Sequence, residues 1–198
     1  IRDKRQVCDA FIEAAQETGI PRNDDFNGAG QEGVGNFQTT SRNGRRCSSA
    51  VGYLKPIMKR PNLRVETEAM VLKILFDGKR ASGIRYHKNG REKSVNVSGE
   101  IVLAGGAINS PQLLQLSGIG PGEHLQGLGI DIVHDSPQVG ANLQDHYQSR
   151  VLLELNRPMS INDDVNNPVR LMWTGLRYAL FRRGPMTISA GHVGVFTK

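Results

Sequence analysis

Residues 101–118 read Ile-Val-Leu-Ala-Gly-Gly-Ala-Ile-Asn-Ser-Pro-Gln-Leu-Leu-Gln-Leu-Ser-Gly. Ile101-Val102-Leu103 predict a fully apolar strand, buried on both faces as parallel strands are. Ser110-Pro111 then opens a helix through Leu113, Leu114 and Leu116, with proline in its first turn and Gly118 past its end. Between them, Ala104-Gly105-Gly106 would put backbone N–H groups and the positive end of a helix dipole at the C-terminal end of a buried strand. Ligands of α/β sheets bind there. The same residues also suit close strand-to-helix packing in which glycine only avoids a clash, and spacing alone does not separate the two.

Upstream of this unit the pattern has period two. Leu63-Arg64-Val65, Ala69 to Phe76, Gly83 to Tyr86 and Val95-Asn96-Val97 read as strands, with Asp77-Gly78 and Asn89-Gly90 as hairpin turns that tolerate positive φ. A meander leading into the buried strand is the expectation. Downstream, a short helix over Glu123 to Gln126 precedes a strand over Ile130 to Val133. A longer helix follows from Pro168 to Arg183, capped by Asn166 or Asn167, apolar at Leu171, Met172, Leu176, Ala179 and Leu180, and closed by Gly184-Pro185.

At the start of the chain, Val7, Ala10, Phe11, Ala14 and Ala15 form one helical stripe over Asp3 to Thr18, which Gly19 and Pro21 stop. Asn23 to Arg46 shows no period and is expected to run as a long irregular connection. A second helix is expected from Ser48 or Ser49 toward Met58, strained by Pro56 and ended by Pro61. Gly28-Ala29-Gly30-Gln31-Glu32-Gly33 spells GxGxxG. The fingerprint needs a strand before it and a helix after it, and Arg22 to Asn27 and Val34 to Phe37 supply neither, so a flexible loop is the better reading.

The 198 residues, 38% hydrophobic and 22% charged, have the composition of a globular protein. Twenty-five Lys and Arg against 19 Asp and Glu leave a formal charge of +6, which permits anionic partners without naming one. Sparse aromatics, at 6%, argue against a nucleic-acid stacking platform. No uncharged run reaches the ~18–20 residues of a spanning helix. Cys8 and Cys47 have no metal-ligand spacing, so neither zinc nor a disulfide framework is expected, and a cytoplasmic setting is the default. His87, His124, His134, His146 and His192 are scattered, and no GxSxG elbow or Cys-His arrangement supports a covalent hydrolase. Arg170, Arg177, Arg182 and Arg183 give the last helix the composition of one that lies on an anionic membrane surface, although a solvated basic face over a core stripe is commoner. An opening without Met that reads as helix interior suggests residues cut from a longer chain.

Gly106 to Gly120, Asp25-Phe26-Asn27-Gly28, Arg64-Val65 through Phe76-Asp77-Gly78, and Val139-Gly140-Ala141-Asn142-Leu143-Gln144-Asp145-His146 together resemble the glucose-methanol-choline oxidoreductases, in their bacterial choline and alcohol dehydrogenase branch. The resemblance covers essentially all of this chain but only a middle part of the family's. It implies an α+β piece of an FAD enzyme that oxidises alcohols by hydride transfer to flavin. Residues 61–122 would belong to the FAD-binding α/β domain, and 1–60 and 123–198 to a substrate domain of antiparallel sheet and helices. It implies cofactor contacts at Val71, Ala104 and Gly105 and substrate contacts at His146 and Gln148. No catalytic residue is implied here, since the family's GxGxxG unit lies upstream and its catalytic histidine downstream. The excised piece would be catalytically silent, and the electron acceptor and any oligomer stay open. Choline-specific members carry glutamate where this chain has Gln148, which implies an uncharged alcohol. The alternative is a flavin-free binding module derived from the same family.

Overall fold

The computed structural model describes residues 5–188 and 191–198. Its helices are α1 (Gln6–Glu17), α2 (Lys55–Ile57), α3 (Gly106–Leu116), α4 (Gly122–Gly127), α5 (Ile161–Val165) and α6 (Pro168–Phe181). Its strands are β1 (Gly33–Asn36), β2 (Ser41–Arg42), β3 (Arg45–Arg46), β4 (Met70–Asp77), β5 (Arg80–Lys88), β6 (Arg91–Asn96), β7 (Ile119–Gly120), β8 (His134–Asp135) and β9 (Val193–Phe196). The arrangement is mixed α+β, and contacts divide it into two units, Ile1–Leu63 with Val151–Lys198, and Arg64–Arg150.

In the unit Arg64–Arg150, β4, β5 and β6 form the expected antiparallel meander, with β4 at one edge. Asn89 and Gly90 join β5 to β6 with φ of 53° and 74°, the two positive values a type I′ turn requires. Ile74 and Tyr86 are buried within the sheet, and α3 packs across β4. Leu125, fully buried, holds α4 against the parallel β7–β8 pair.

Several expectations for this unit need correction. Ile101-Val102-Leu103 forms no strand, and Val102 is 83% exposed. A parallel strand draws its hydrogen bonds from neighbours, and no described strand pairs with this segment. Leu63-Arg64-Val65 also lacks a ladder; Leu63 N–H closes a turn onto the Arg60 carbonyl instead. Helix α3 starts at Gly106, not at Ser110, so Pro111 stands inside it and the Ala107 carbonyl has no i+4 N–H. Ile130 to Val133 still closes α4, through Ile130 N–H to the Leu125 carbonyl, so the parallel ladder begins only at His134.

Glu66 anchors the approach to β4, accepting from Arg64 Nε at 2.6 Å and from Lys88 Nζ at 2.5 Å. These two cations lower its pKa from 4.5 to about 2, the Lys88 hydrogen bond most. Because the folded value lies below the unfolded one, the stabilisation is complete above about pH 4.5 and fades as pH falls toward 2. Glu66→Gln is therefore expected to lower Tm slightly at pH 7. The gap should close in melts run near pH 2, and added salt should shrink it at neutral pH.

In the other unit, α1 forms as expected but turned: Cys8 and Ile12 are buried, while Phe11 of the predicted stripe is 48% exposed. The connection from Asn23 to Arg46 is not irregular throughout. Strand β1 pairs antiparallel with β9, and Ser41-Arg42 pairs with Arg45-Arg46 around Asn43-Gly44, both at positive φ. The rings of Phe26, Phe37 and Phe196 meet edge-on or tilted at centroid distances of 4.9–6.2 Å. The expected helix near Pro56 is a π-helical turn, Ala50–Leu54, running into α2. Helix α5, absent from the sequence reading, begins with a capping box between Ser160 and Asp163, whose carboxyl the Ser160 hydrogen bonds lower in pKa. Asn167 caps α6 by accepting from Val169 and Arg170 N–H, and the helix stops at Phe181 because Arg182 turns left-handed at φ 53°. The stripe expected to pack in the core faces outward: Met172 is 71% exposed and Leu180 64%, while Thr174 is buried.

Candidate functional site

Two stretches of the chain, residues 69–72 and 102–116, meet around one cavity of about 810 Å³ in the unit Arg64–Arg150. The start of β4 brings Val71 and Leu72, the unpaired segment before α3 brings Val102 to Gly105, and α3 brings Asn109, Ser110 and Leu113. Val71, Ala104 and Gly105, singled out in the sequence, thus line a single cavity. Its sides are apolar at Val71, Leu72, Val102 and Leu113, and the N-cap and body of α3 close it.

The edge position of β4 creates the slot. A register shift between Val71 and Lys73 breaks the ladder to β5 beside the cavity, as a bulge does when one residue is left unpaired. Further along, β4 is tied to α3 by one hydroxyl: Ser117 Oγ accepts from Ile74 N–H at 2.8 Å and donates to the Leu113 carbonyl at 2.6 Å. Ser117→Ala would leave the Ile74 N–H without its acceptor, at a cost of about 1–3 kcal/mol. Chemical denaturation should show that loss with little change in the denaturant slope, and Ser117→Thr should recover part of it.

At the start of α3, Ser110 Oγ accepts the Gly105 N–H at 3.1 Å. Among the described residues no side chain caps this helix, and its N-cap, Gly105, lines the cavity, while Ala107 and Ile108 of its first turn border a neighbouring one. Gly106 has φ +85°, a conformation glycine adopts without strain.

A second cavity of about 430 Å³ borders α3, between Ala107, Pro111 and Gln115 and the loop from Gly140 to Gln144. Gln115 Nε2 donates to the Val139 carbonyl at 2.9 Å, and Gly140, at φ +83°, passes so close to that amide that a Cβ would lie 2.6 Å from it. The sequence reading assigned no site residue here; the signal was Gly140, required for the close pass. His146 and Gln148 lie just beyond this loop in exposed coil, outside both cavities. The His146 N–H is held by its neighbour's carboxylate, Asp145 Oδ1, at 2.7 Å.

In the GxGxxG stretch residues 28 and 29 form a bend, and Asn23 Nδ2 donates to the carbonyls of Gly30 and Glu32. One contact that spacing did not reveal is a thiol–imidazole pair, with Cys8 Sγ 3.2 Å from His192 Nδ1, between α1 and the approach to β9. Among the described residues no cluster of three or more His, Cys, Asp or Glu offers a metal site.

The family model described as GMC oxidoreductase matches residues 1–148. Over 175 residues the chain is 45% identical to the oxygen-dependent choline dehydrogenase of Staphylococcus saprophyticus, covering 88% of this chain and 31% of that one. It is 38% identical over 200 residues to an alcohol dehydrogenase [acceptor] of Pseudomonas putida, covering 100% and 36%. An FAD-dependent oxidoreductase of Chaetomium thermophilum superposes with TM-score 0.80 at 29% identity, over 95% of this chain and 34% of that one. A fungal aryl-alcohol oxidase gives 0.81 at 25%, over 99% and 34%. The chain spans about a third of the length of these relatives. With three quarters of its residues under the family model and its fold shared with two solved members at this identity, the chain belongs to the GMC oxidoreductase family.

Proposed function

We propose that this chain is part of an FAD-dependent alcohol dehydrogenase and that its residues 64–150 build one wall of the flavin site. The convergence of Val71, Ala104 and Gly105 on one cavity at the start of α3 carries the reading. The cavity suits the adenosine-phosphate half of the cofactor: Val71, Leu72 and Leu113 offer apolar sides for a flat ring, and the α3 start offers N–H donors to an anion. Bound flavin supplies the hydride acceptor for CH–OH oxidation.

The chain's own residues orient rather than react. Val71 presents backbone from an edge strand, Gly105 and Gly106 let the cofactor approach the main chain, and Ser117 fixes the distance between the two walls. His146 and Gln148 meet the alcohol. Gln148 offers a neutral amide, so an uncharged alcohol is preferred over choline. Gln148→Glu in the full-length enzyme should raise kcat/KM for choline relative to an aliphatic alcohol by one to two orders of magnitude. Close attraction between a carboxylate and a quaternary ammonium is on the order of a few kcal/mol at an effective dielectric of ~20. An unchanged ratio would remove Gln148 from the substrate site.

The full-length protein should purify yellow, and an aliphatic alcohol added without oxygen should bleach the flavin absorption. A colourless protein that takes up no added FAD would instead support the flavin-free module. We also infer contact of α6 with an anionic membrane surface from a cytoplasmic position, favoured by its outward apolar stripe beside Arg170, Arg177, Arg182 and Arg183.

A further inference from the structure

The four arginines on and just past helix α6 fall into two kinds. Val169, Met172, Trp173, Leu176 and Leu180 follow the spacing i, i+3, i+4, i+7, i+11, and on a helical wheel they fill an arc of about 100°. All five are exposed, from 47% for Leu176 to 71% for Met172. Arg170 and Arg177, two turns apart, border this arc on one side, between it and the buried Thr174. Both line a cavity of about 560 Å³ together with Trp173, Thr174 and Arg5. Asp164, the carboxylate of that cavity, is already paired with Arg5 at 2.7 Å. Helix α6 itself carries no acidic residue. Arg182 belongs to a different setting: it ends the helix left-handed, with its guanidinium 4.8 Å from the centre of the Tyr178 ring.

The geometry points to a lipid-facing seat in which α6 lies in the membrane interface on its apolar arc and an anionic phospholipid's phosphate sits between Arg170 and Arg177 at the mouth of this cavity. This rests on the membrane contact proposed above and makes it specific. Two features commit the occupant to an anionic bilayer. The arc is continuous and apolar along the whole helix, as an interfacial helix requires, and its border is basic on the side where the cavity opens. Two guanidiniums at a cavity whose one lining carboxylate, Asp164, is paired with Arg5 complement a phosphate, which accepts forked N–H pairs, against the competing field of Asp163 on Arg170. Trp173 stands where arc and cavity meet, with an indole suited to the headgroup level.

Trp173 is the single tryptophan of these 198 residues, so it reports on the seat directly. The full-length protein is mixed with vesicles of phosphatidylcholine alone or with about 30% phosphatidylserine, an anionic surface of the kind basic helices recognise. Trp173→Phe serves as the fluorescence blank. The expected result is sedimentation with the anionic vesicles only, weakening as salt rises, with a blue shift of the Trp173 signal and its quenching by brominated lipid. Arg170→Gln with Arg177→Gln should cut vesicle affinity at least tenfold, while Arg182→Gln with Arg183→Gln changes it less than threefold.

Binding to anionic vesicles without a Trp173 shift, or with equal loss in both double variants, would overturn the seat and leave general membrane contact standing. No binding to either vesicle would overturn both. A Trp173 signal already blue and shielded from acrylamide without lipid would show the arc covered by protein, from the rest of the chain or a second copy, and overturn the seat. So would a Trp173 response to inorganic phosphate equal to that with vesicles, which would identify a soluble-anion pocket. Flavin content and alcohol oxidation, read on the same samples without lipid, report separately on the enzymatic assignment.

Discussion

Ala104→Glu in the full-length protein is expected to release the flavin while leaving the fold intact. Ala104 lies exposed on the wall of the cavity that also holds Val71 and Gly105, so a longer side chain enters open space and displaces no packed neighbour. What it changes is charge. The N-cap of α3, Gly105, lines this cavity, so the uncapped N–H groups and positive dipole end of the helix lie at its border, an environment for an anion. A carboxylate there occupies those donors and repels a phosphate; at ~4 Å and an effective dielectric of ~20 each such pair costs about 4 kcal/mol, roughly a thousandfold in affinity. The purified variant should be colourless, with an unchanged far-ultraviolet spectrum and an FAD Kd raised by about that factor. Ala104→Gln, of the same shape and no charge, should retain most of the flavin. A fully yellow Ala104→Glu protein with a wild-type Kd would move the cofactor elsewhere and take the main support from the proposed function.

The convergence behind that expectation was legible only in part. The hairpin at Asn89-Gly90 was readable because positive φ at two successive residues selects Asn and Gly, a strictly local constraint. The cap of α6 at Asn167 was readable through another local constraint, a side-chain oxygen that accepts the free N–H groups of the first turn. Asn43-Gly44 carries the same turn signal, yet its flanks are Ser41-Arg42 and Arg45-Arg46 rather than alternating apolar residues, so the small hairpin stayed hidden. Ile101-Val102-Leu103 shows the opposite failure. Three β-formers state a preference for extended backbone, but a ladder depends on partners that an isolated run does not encode, and none forms there. The pairing of β1 with β9 joins Gly33–Asn36 to residues at the far end of the chain, and no local pattern predicts a contact of that separation. The stripe on α6 was visible as a stripe, since periodicity gives the face; whether that face meets core or surroundings depends on packing that periodicity does not contain. For the site, Val71 came from resemblance alone, while Ala104 and Gly105 were also marked by the strand-glycine-helix pattern, which left close packing as an equal reading. Gly140 could have been added by asking why a glycine stands next to a loop rich in amides.

Gly35→Ala is expected to destabilise the unit Ile1–Leu63 with Val151–Lys198 by about 3 kcal/mol or more, the upper range of overpacking, lowering its Tm by about 12 °C or more. A Cβ on Gly35 would overlap the Asn23 carbonyl oxygen, which is backbone and has nowhere to go. Asn23 is pinned from several sides: its N–H donates to the Val34 carbonyl at 2.8 Å, its Nδ2 to the carbonyls of Gly30 and Glu32, and its Oδ1 accepts from Asp25 N–H. Opposite Gly35 in the ladder stands Gly194, where a Cβ would enter the Phe37 ring. Both glycines are therefore absences of side chain that let β1 and β9 close beneath Phe26, Phe37 and Phe196. Gly30, a few residues upstream, is the control. It has open space around its Cβ position, so Gly30→Ala should leave both Tm and FAD retention unchanged within error. The contrast separates two uses of glycine in one stretch. In a phosphate-binding GxGxxG the middle glycine admits the pyrophosphate and its alanine variant loses cofactor. Here the costs should fall on Gly35, and on Gly33, whose φ is +131° and whose Cβ would lie 2.7 Å from the Pro21 carbonyl oxygen. Those costs should appear as lost stability with no specific loss of flavin. Loss of flavin on Gly30→Ala at an unchanged Tm would reverse that assignment and make the loop a cofactor element.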